Sequence, residues 1–256
     1  MHAATHTMPF SLAPHVRARG CEGQVILLDM RSSRYIGVGP GASAALSRCV
    51  QGWPSTLEDS SAAPAPQATI DTDALIQQFT SQGLLSGDRV QSPLATPLST
   101  PLATQLATAD ASLDFEDLSM PVQIGAARVT RLLKGAALSA LRLRFQSFEF
   151  IARAVAARRH RHQSDQATSP DILLASMRDS AVAYERMRPF LFTSHRKCLF
   201  DSLACLEFLA GEGLFPHWVI GVKTKPFGAH SWVQQGCMVL NDQHARVRQF
   251  HPILVA

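Results

Sequence analysis

The stretch that decides the fold runs from Lys197 to Asp242, KCLFDSLACLEFLAGEGLFPHWVIGVKTKPFGAHSWVQQGCMVLND. From Cys198 to Leu209 its pattern is helical, with Leu199, Leu203, Leu206 and Leu209 on one side, and Gly211 and Gly213 end it. Three β-type runs then follow in quick succession, His217–Thr224, His230–Gln234 and Met238–Leu240. Pro226-Phe227-Gly228 and Gln235-Gly236 turn the chain between them. A helical layer followed by consecutive antiparallel strands is an α+β arrangement.

Chemistry-bearing residues fall at the ends of these elements. Cys198 opens the helix directly after His195-Arg196-Lys197. A helix N-terminus favours an anion, and adjacent cations add to that effect, so the thiolate fraction of Cys198 should be raised. His230 begins a strand, and its ring can project toward the helix start as a base. Asp242 ends the next strand, and neighbouring strands lie about 5 Å apart, within reach of the imidazole. Each residue taken singly has a plain structural reading: a buried small hydrophobe, a sheet histidine, a turn aspartate. A cysteine on a helix start, a histidine on a strand and an aspartate on the adjoining strand together have the architecture of the papain and transglutaminase group. Cys205, two turns deeper, reads as core, and Cys237 follows a turn glycine without a helix dipole. His195, His217, His244 and His251 are surface residues or rivals for the base. Trp218 and Trp232 read as sheet core. No CxxC, HExxH, GxGxxG or GxxxxGK[ST] occurs, which argues against zinc and phosphate-cradling sites.

Upstream, Ser169-Pro170-Asp171 is a helix start, and that helix runs to about Arg188 before Pro189. Residues 121–162 are helical in composition, with Leu132, Leu133, Leu138, Leu141, Phe145 and Phe148 as the expected buried stripe. Residues 93–108 repeat PLAT, PLST, PLAT, QLAT, and Pro at every fourth position blocks helix and central strand alike. The chain therefore divides into residues 1–90, a Pro-rich linker over 91–120, and residues 121–256. In the first part, residues 11–19 suggest a strand, and Gln24–Met30 with Arg34–Val38 suggest a hairpin. Pro40 opens a short helix to about Val50. Asp71 or Thr72 caps a second helix whose Leu75, Ile76 and Phe79 share a face before Gly83. Three strands followed by helices make a small winged-helix-like domain.

The 256 residues are 46% hydrophobic, which excludes disorder over most of the length, and no apolar run approaches the roughly 20 residues of a bilayer-crossing helix. No secretory signal is visible at the N-terminus, and five widely spaced cysteines fit reduced thiols in a cytoplasm. The formal charge is +4 but uneven: residues 91–127 hold four acids and no Lys or Arg, whereas 128–162 hold nine bases and Glu149. That basic stretch reads as a solvated helix face or a patch for an acidic protein. Neither nucleic acid nor a membrane is expected as a partner.

The Lys197–Asp242 stretch resembles the leader peptidase of lasso peptide biosynthesis, the B protein of those gene clusters. That transglutaminase-like family shows a CL-x-x-SL helix, an IGV strand, a PF-x-AH-x-W turn and strand, and a final Asp. The matching residues are Cys198, Ser202-Leu203, Ile220-Gly221-Val222, Pro226-Phe227, Ala229-His230, Trp232 and Asp242. Ser231 stands where Ala is usual and Gln234 where Glu is usual, the latter bearing on a salt bridge in the sheet. The hairpin VILLDMRSSRYIGV and the helix DALIQQFTSQGLL resemble the recognition element of ribosomal peptide-modifying systems, here fused to the peptidase. The two resemblances cover residues 10–90 and 170–256; the PLAT repeat and the basic helix lie outside them.

The resemblance implies a cysteine peptidase that binds and removes the leader of a ribosomally made lasso precursor peptide, with Cys198 as nucleophile, His230 as base and Asp242 as its orienter. By the same resemblance the leader pairs with Arg34–Val38, with Tyr35, Ile36, Val38, Leu75, Ile76 and Phe79 binding it. Its penultimate residue is Thr, and the core passes to an asparagine-synthetase-like, ATP-using cyclase. The peptidase itself needs no metal or organic cofactor. The rivals are an acyl-transfer enzyme with the same triad and an inert peptide-binding scaffold.

Overall fold

The computed structural model describes residues 10–55, 71–87, 106–119, 121–163, 169–192 and 197–256. The chain forms two compact units, Met1–Ala95 and Thr96–Ala256. Among the described residues no helix is long and apolar enough to cross a membrane.

In the first unit, β2 (Val16–Cys21), β3 (Gln24–Asp29) and β4 (Arg34–Val38) form an antiparallel sheet in that order. Glu22 and Gly23 both take positive φ, the geometry of a tight hairpin turn whose twist matches its strands. The second hairpin is closed by the Asp29 carboxylate, which accepts from the Arg31 N–H at 3.0 Å and the Ser32 hydroxyl at 2.5 Å. The expected single strand over residues 11–19 is two. β1 (Phe10–Leu12) leaves the sheet at Ala13-Pro14 and joins β5 (Val50–Gln51) and β6 (Leu85–Ser86) in a second small sheet. Among the described residues this unit therefore carries six strands rather than the three expected. Helices α1 (Pro40–Leu46) and α2 (Thr72–Ser81) complete it. Asp71 caps α2 by accepting from the Asp73 and Ala74 N–H groups, both at 3.1 Å.

The second unit is built on a five-stranded sheet ordered β11-β8-β9-β10-β7. Its strands are β7 (Ala111–Ser112), β8 (His217–Thr224), β9 (Phe227–Gln235), β10 (Met238–Val239) and β11 (His251–Val255). β7 corrects the linker boundary. Most of the repeat lies outside the described residues, but residues 106–119 belong to this unit. No proline follows Pro101 until Pro121, so every backbone group from 106 to 119 keeps its N–H donor. Asp110 and Ala111 donate to the Cys237 carbonyl at 3.0 and 3.3 Å, and Ala111–Ser112 pairs in parallel with β10. The Gln234 amide donates to the Ala107 carbonyl at 2.7 Å and to the Gly236 carbonyl at 2.8 Å, while its oxygen accepts from Trp232. A Glu at 234 could not donate those bonds.

The helices of this unit are α3 (Phe115–Ser119), α4 (Ala126–Phe145), α5 (Phe148–Gln163), α6 (Pro170–Met187), α7 (Cys198–Ala210) and α8 (His244–Val247). The expected leucine stripe on α4 is not its buried face. Leu132 is buried, but Leu133, Leu141 and Phe145 are exposed, Phe145 at 75%. What α4 buries is Leu132, Gly135 and Ser139. A Cβ on Gly135 would stand 3.2 Å from both the Ala204 carbonyl and the Glu207 Cβ, so α4 and α7 meet at backbone distance. Close approach of two helices selects small residues, and leucine spacing does not report it. The Arg residues beneath are paired: Arg142 and Arg158 both reach Glu207, and Arg128 and Arg131 both reach Glu212.

β8 and β9 pair with Gly221 opposite His230. A Cβ on Gly221 would lie 2.7 Å from the Trp232 ring and 2.8 Å from the Phe250 Cβ. Both aromatics also border the His230 ring, with centroids 6.1 and 5.2 Å away. Gly221→Ala is therefore expected to destabilise the chain by about 1–3 kcal/mol, the usual cost of overpacking a closed core. Urea denaturation should show a lower midpoint at unchanged slope.

Candidate active site

Helix α7 is apolar around its circumference, and residues 201–206 with Phe208 and Leu209 are all buried. Its first turn is partly exposed, with Cys198 half-buried there. β9 runs alongside, with the His230 side chain only 4% exposed. The chain turns after β10 to bring Asp242 back: His230 Nε2 and Asp242 Oδ2 are 2.6 Å apart. The ring also hydrogen-bonds Cys198. With Nε2 committed to the aspartate, Nδ1 is the nitrogen left for the thiol. The Gln243 N–H donates to Asp242 Oδ1 at 2.7 Å, which holds the carboxylate from its other side.

The three groups shift one another in the sense of an ion pair. Burial pushes the Cys198 thiol up, but the His230 hydrogen bond and charge, with the Ser231 and Leu199 backbone N–H groups, bring it below its ordinary value. Burial pulls His230 down, and its bonds to Asp242 and Cys198 outweigh that and lift it to about 9. Asp242 is raised by burial and brought below its ordinary value chiefly by the His230 bond. The His230 that lowers the thiol arrives from β9. Of the cations expected to add to this effect, His195 and Arg196 lie outside the described residues.

The rival groups are elsewhere. Cys205 is fully buried with its pKa driven well up by desolvation, as a core thiol should be. Cys237 is exposed beyond the Gly236 turn. Burial depresses His217 to about 4, and its strand register sets it opposite Gln234. His244 Nδ1 is 2.9 Å from the Ser112 hydroxyl, and His251 faces Val222 in the β11–β8 pair. Among the described residues no three His, Cys, Asp or Glu side chains converge as a metal ion would require.

Two buried polar clusters support the site, and neither was foreseen from sequence. In the first, the Trp218 indole N–H donates to Ser202 and Ser231 at 3.0 and 2.8 Å, and the two hydroxyls are 2.6 Å apart. Ser202 also donates to the Leu199 carbonyl at 3.1 Å. The cluster fastens the first turn of α7 to β8 and β9, and it gives the unusual Ser231 a hydrogen-bonding role that Ala cannot have. The second centres on Asp201. Its carboxylate accepts from Tyr184 at 2.8 Å, Arg188 at 2.6 Å and Asn241 at 3.1 Å. Arg188 also pairs with Glu185 at 2.7 Å, yet burial still lifts Glu185 to about 8. The one available signal was an acid inside the apolar run CLFDSLACL, which must find partners if it faces the core.

The residues expected to bind a leader lie in the first unit. Tyr35, Ile36, Leu75 and Ile76 are partly exposed, and β4 is an edge of its sheet. Val38 and Phe79 are corrections: at 3% and 6% exposure they belong to the core of that unit and have no face to offer a peptide. A cavity of about 460 Å³ lined by Phe10, Asp73, Ile76, Gln77, Thr80 and Ser81 opens on the outer side of α2.

The family model of the transglutaminase-like superfamily matches residues 135–255. A segment of 45 residues is 47% identical to the microcin J25-processing protein McjB of Escherichia coli, covering 18% of this chain and 22% of that protein. The match thus spans about a fifth of the relative's length. No solved structure gives a significant match. The match to the transglutaminase-like family model covers the part of the chain that holds Cys198, His230 and Asp242.

Proposed function

We propose that this protein is a cysteine peptidase that binds a ribosomally made lasso precursor peptide and removes its leader. The observation that carries the reading is the Cys198–His230–Asp242 chain of hydrogen bonds, with a lowered thiol beside an imidazole raised to about 9. The partial similarity to a microcin J25-processing protein supports the lasso precursor as the substrate class.

In this reading the Cys198 thiolate attacks the scissile carbonyl, and the oxyanion is met by the Cys198 backbone N–H at the head of α7. The His230 imidazolium gives its proton to the leaving amine, which departs as the freed core peptide. Water then adds to the thioester with His230 as base, releasing the leader as a carboxylic acid and restoring the thiolate. Asp242 holds the ring and favours its protonated form. The leader adds along β4 as a further strand, with Tyr35 and Ile36 beside it and Leu75 and Ile76 of α2 supplying apolar contact. The core peptide passes to an asparagine-synthetase-like cyclase.

Mass analysis of the products from a synthetic lasso precursor tests the reading. Hydrolysis leaves a leader with a free carboxylate, acyl transfer leaves an amide, and an inert scaffold leaves the precursor whole. Cys198→Ala is expected to abolish cleavage with the fold intact, whereas Cys205→Ala and Cys237→Ala retain it. His230→Ala should cost as much as Cys198→Ala, because groups that act as a unit are non-additive, and Asp242→Asn should cost less.

The pH dependence has a defined sign. A thiol lowered by His230 becomes anionic as pH rises through that depressed value, which sets the acid limb of kcat/KM. His230 then loses its proton near 9, which sets the alkaline limb. His230→Ala removes the hydrogen bond and charge that lower the thiol, so the pH midpoint for alkylation of Cys198, followed by peptide mapping, should move upward.

The recognition reading is tested separately, by titrating labelled leader against residues 1–95 and 96–256. Binding is expected only with the first fragment. Equal binding by both, or binding by the second alone, removes it.

A further inference from the structure

We infer that Asn241, braced by Asp201, is a positioning residue that sets Asp242 against His230 and Cys198 through a path that bypasses the imidazole. The inference rests on the reading of Cys198, His230 and Asp242 as the reacting set.

Asn241 is the residue before Asp242 and is buried, at 3% exposure. Its side chain touches both other elements of the site. Oδ1 accepts from the Val233 backbone N–H at 2.8 Å, three residues along β9 from His230. Nδ2 donates to Asp201 Oδ2 at 3.1 Å, and Asp201 lies one turn along α7 from Cys198. One amide therefore joins the nucleophile's helix, the base's strand and the acid's loop.

The brace beneath it is closed on every side. Asp201, with a side chain 3% exposed, holds Tyr184 on Oδ1 and shares Oδ2 between Arg188 and Asn241. Arg188 in turn reaches the Asn241 carbonyl at 3.4 Å and pairs with Glu185. The charged groups around the amide are thus Asp201, Arg188 and Glu185 below, with Asp242 and its distant partner Arg246, at 3.9 Å, above. A donor and an acceptor are both required at 241, since a neutral amide must give a proton to a carboxylate and take one from a backbone N–H. An aspartate would turn a second acceptor toward Asp201, and an apolar residue would orphan both partners.

Loosening this link frees the loop carrying Asp242. The 2.6 Å contact to His230 is then no longer enforced, the imidazolium loses its support, and the thiolate that depends on the imidazolium becomes less favoured. The expected signature is chemical rather than merely structural.

The test uses the full chain. In Asn241→Ala the pH midpoint for alkylation of Cys198 by iodoacetamide should rise by about one unit toward the ordinary thiol value. On a lasso precursor, kcat should fall about tenfold or more with KM held within about twofold, as expected for misplaced reacting groups. Tyr184→Phe, which removes a bond to Asp201 on the side away from the loop, should lower the urea midpoint and leave both chemical readouts unchanged. If Asn241→Ala does not fold, Asn241→Asp keeps the acceptor for Val233 and replaces the donor to Asp201 with an opposing carboxylate oxygen, and the same loss of kcat is expected. A wild-type alkylation midpoint and kcat in a folded Asn241 variant overturns the inference, as does an equal shift in Tyr184→Phe. The alkylation readout needs no substrate, so it stands or falls apart from the peptidase reading.

Discussion

Helix α7 is enclosed on all sides below its first turn, and this enclosure governs the second unit. A helix carrying Leu203, Ala204, Cys205, Leu206, Phe208 and Leu209 has no solvent face, so α4, α6 and the sheet must each supply a wall. α4 can lie close because Gly135 removes the side chain that would hold it off. On the sheet side, Trp218 is fully buried and turns its one N–H toward two serine hydroxyls. With the helix held from several directions, its first turn has one position, and Cys198 is delivered to His230 and the Ser231 N–H.

The polar groups inside this core set the site's electrostatics. Asp201 is held by three donors, which is what a buried carboxylate needs to stay a charge rather than take up a proton. Removing one of those donors leaves the buried charge less well compensated and costs stability. The thiol–imidazole pair lies just above, where burial opposes both charges and their mutual attraction restores them. Besides the shared helix α7, the segment Asn241-Asp242 links the pair to the brace, which makes it a junction between stability and chemistry.

The basic stretch of α4 and α5 divides into two populations. Arg128, Arg131, Arg142 and Arg158 are spent on Glu207 and Glu212, carboxylates at the far end of α7 from Cys198. Four of the nine bases are therefore internal structure, a set of ion pairs binding the helical layer together. Charge counted along a sequence overstates charge presented at a surface.

The sequence by itself was sufficient for whatever depends on near neighbours. The α7 helix, the β8–β9 hairpin with its turns, and the β3–β4 hairpin follow from periodicity and turn chemistry within a few residues. The candidate nucleophile was legible as the first residue of α7, whereas His230 falls inside β9 rather than at its start and Asp242 lies three residues beyond the end of β10. Only the tertiary structure decided the rest. Asp201 meets Arg188, Tyr184 and Asn241 across 13, 17 and 40 residues, and no local pattern encodes partners at such separations. The leucines of α4 repeat with helical spacing on more than one side, and the face that is buried was chosen by how closely α7 approaches, which glycine and serine permit and leucine does not. The residues just after the Pro-rich repeat became sheet edge because β10 pairs with Ala111–Ser112 and the Cys237 carbonyl beside it accepts from Asp110 and Ala111. The thiol is lowered by a histidine brought from another strand, since burial alone raises it and only a partner placed by the fold can reverse the sign.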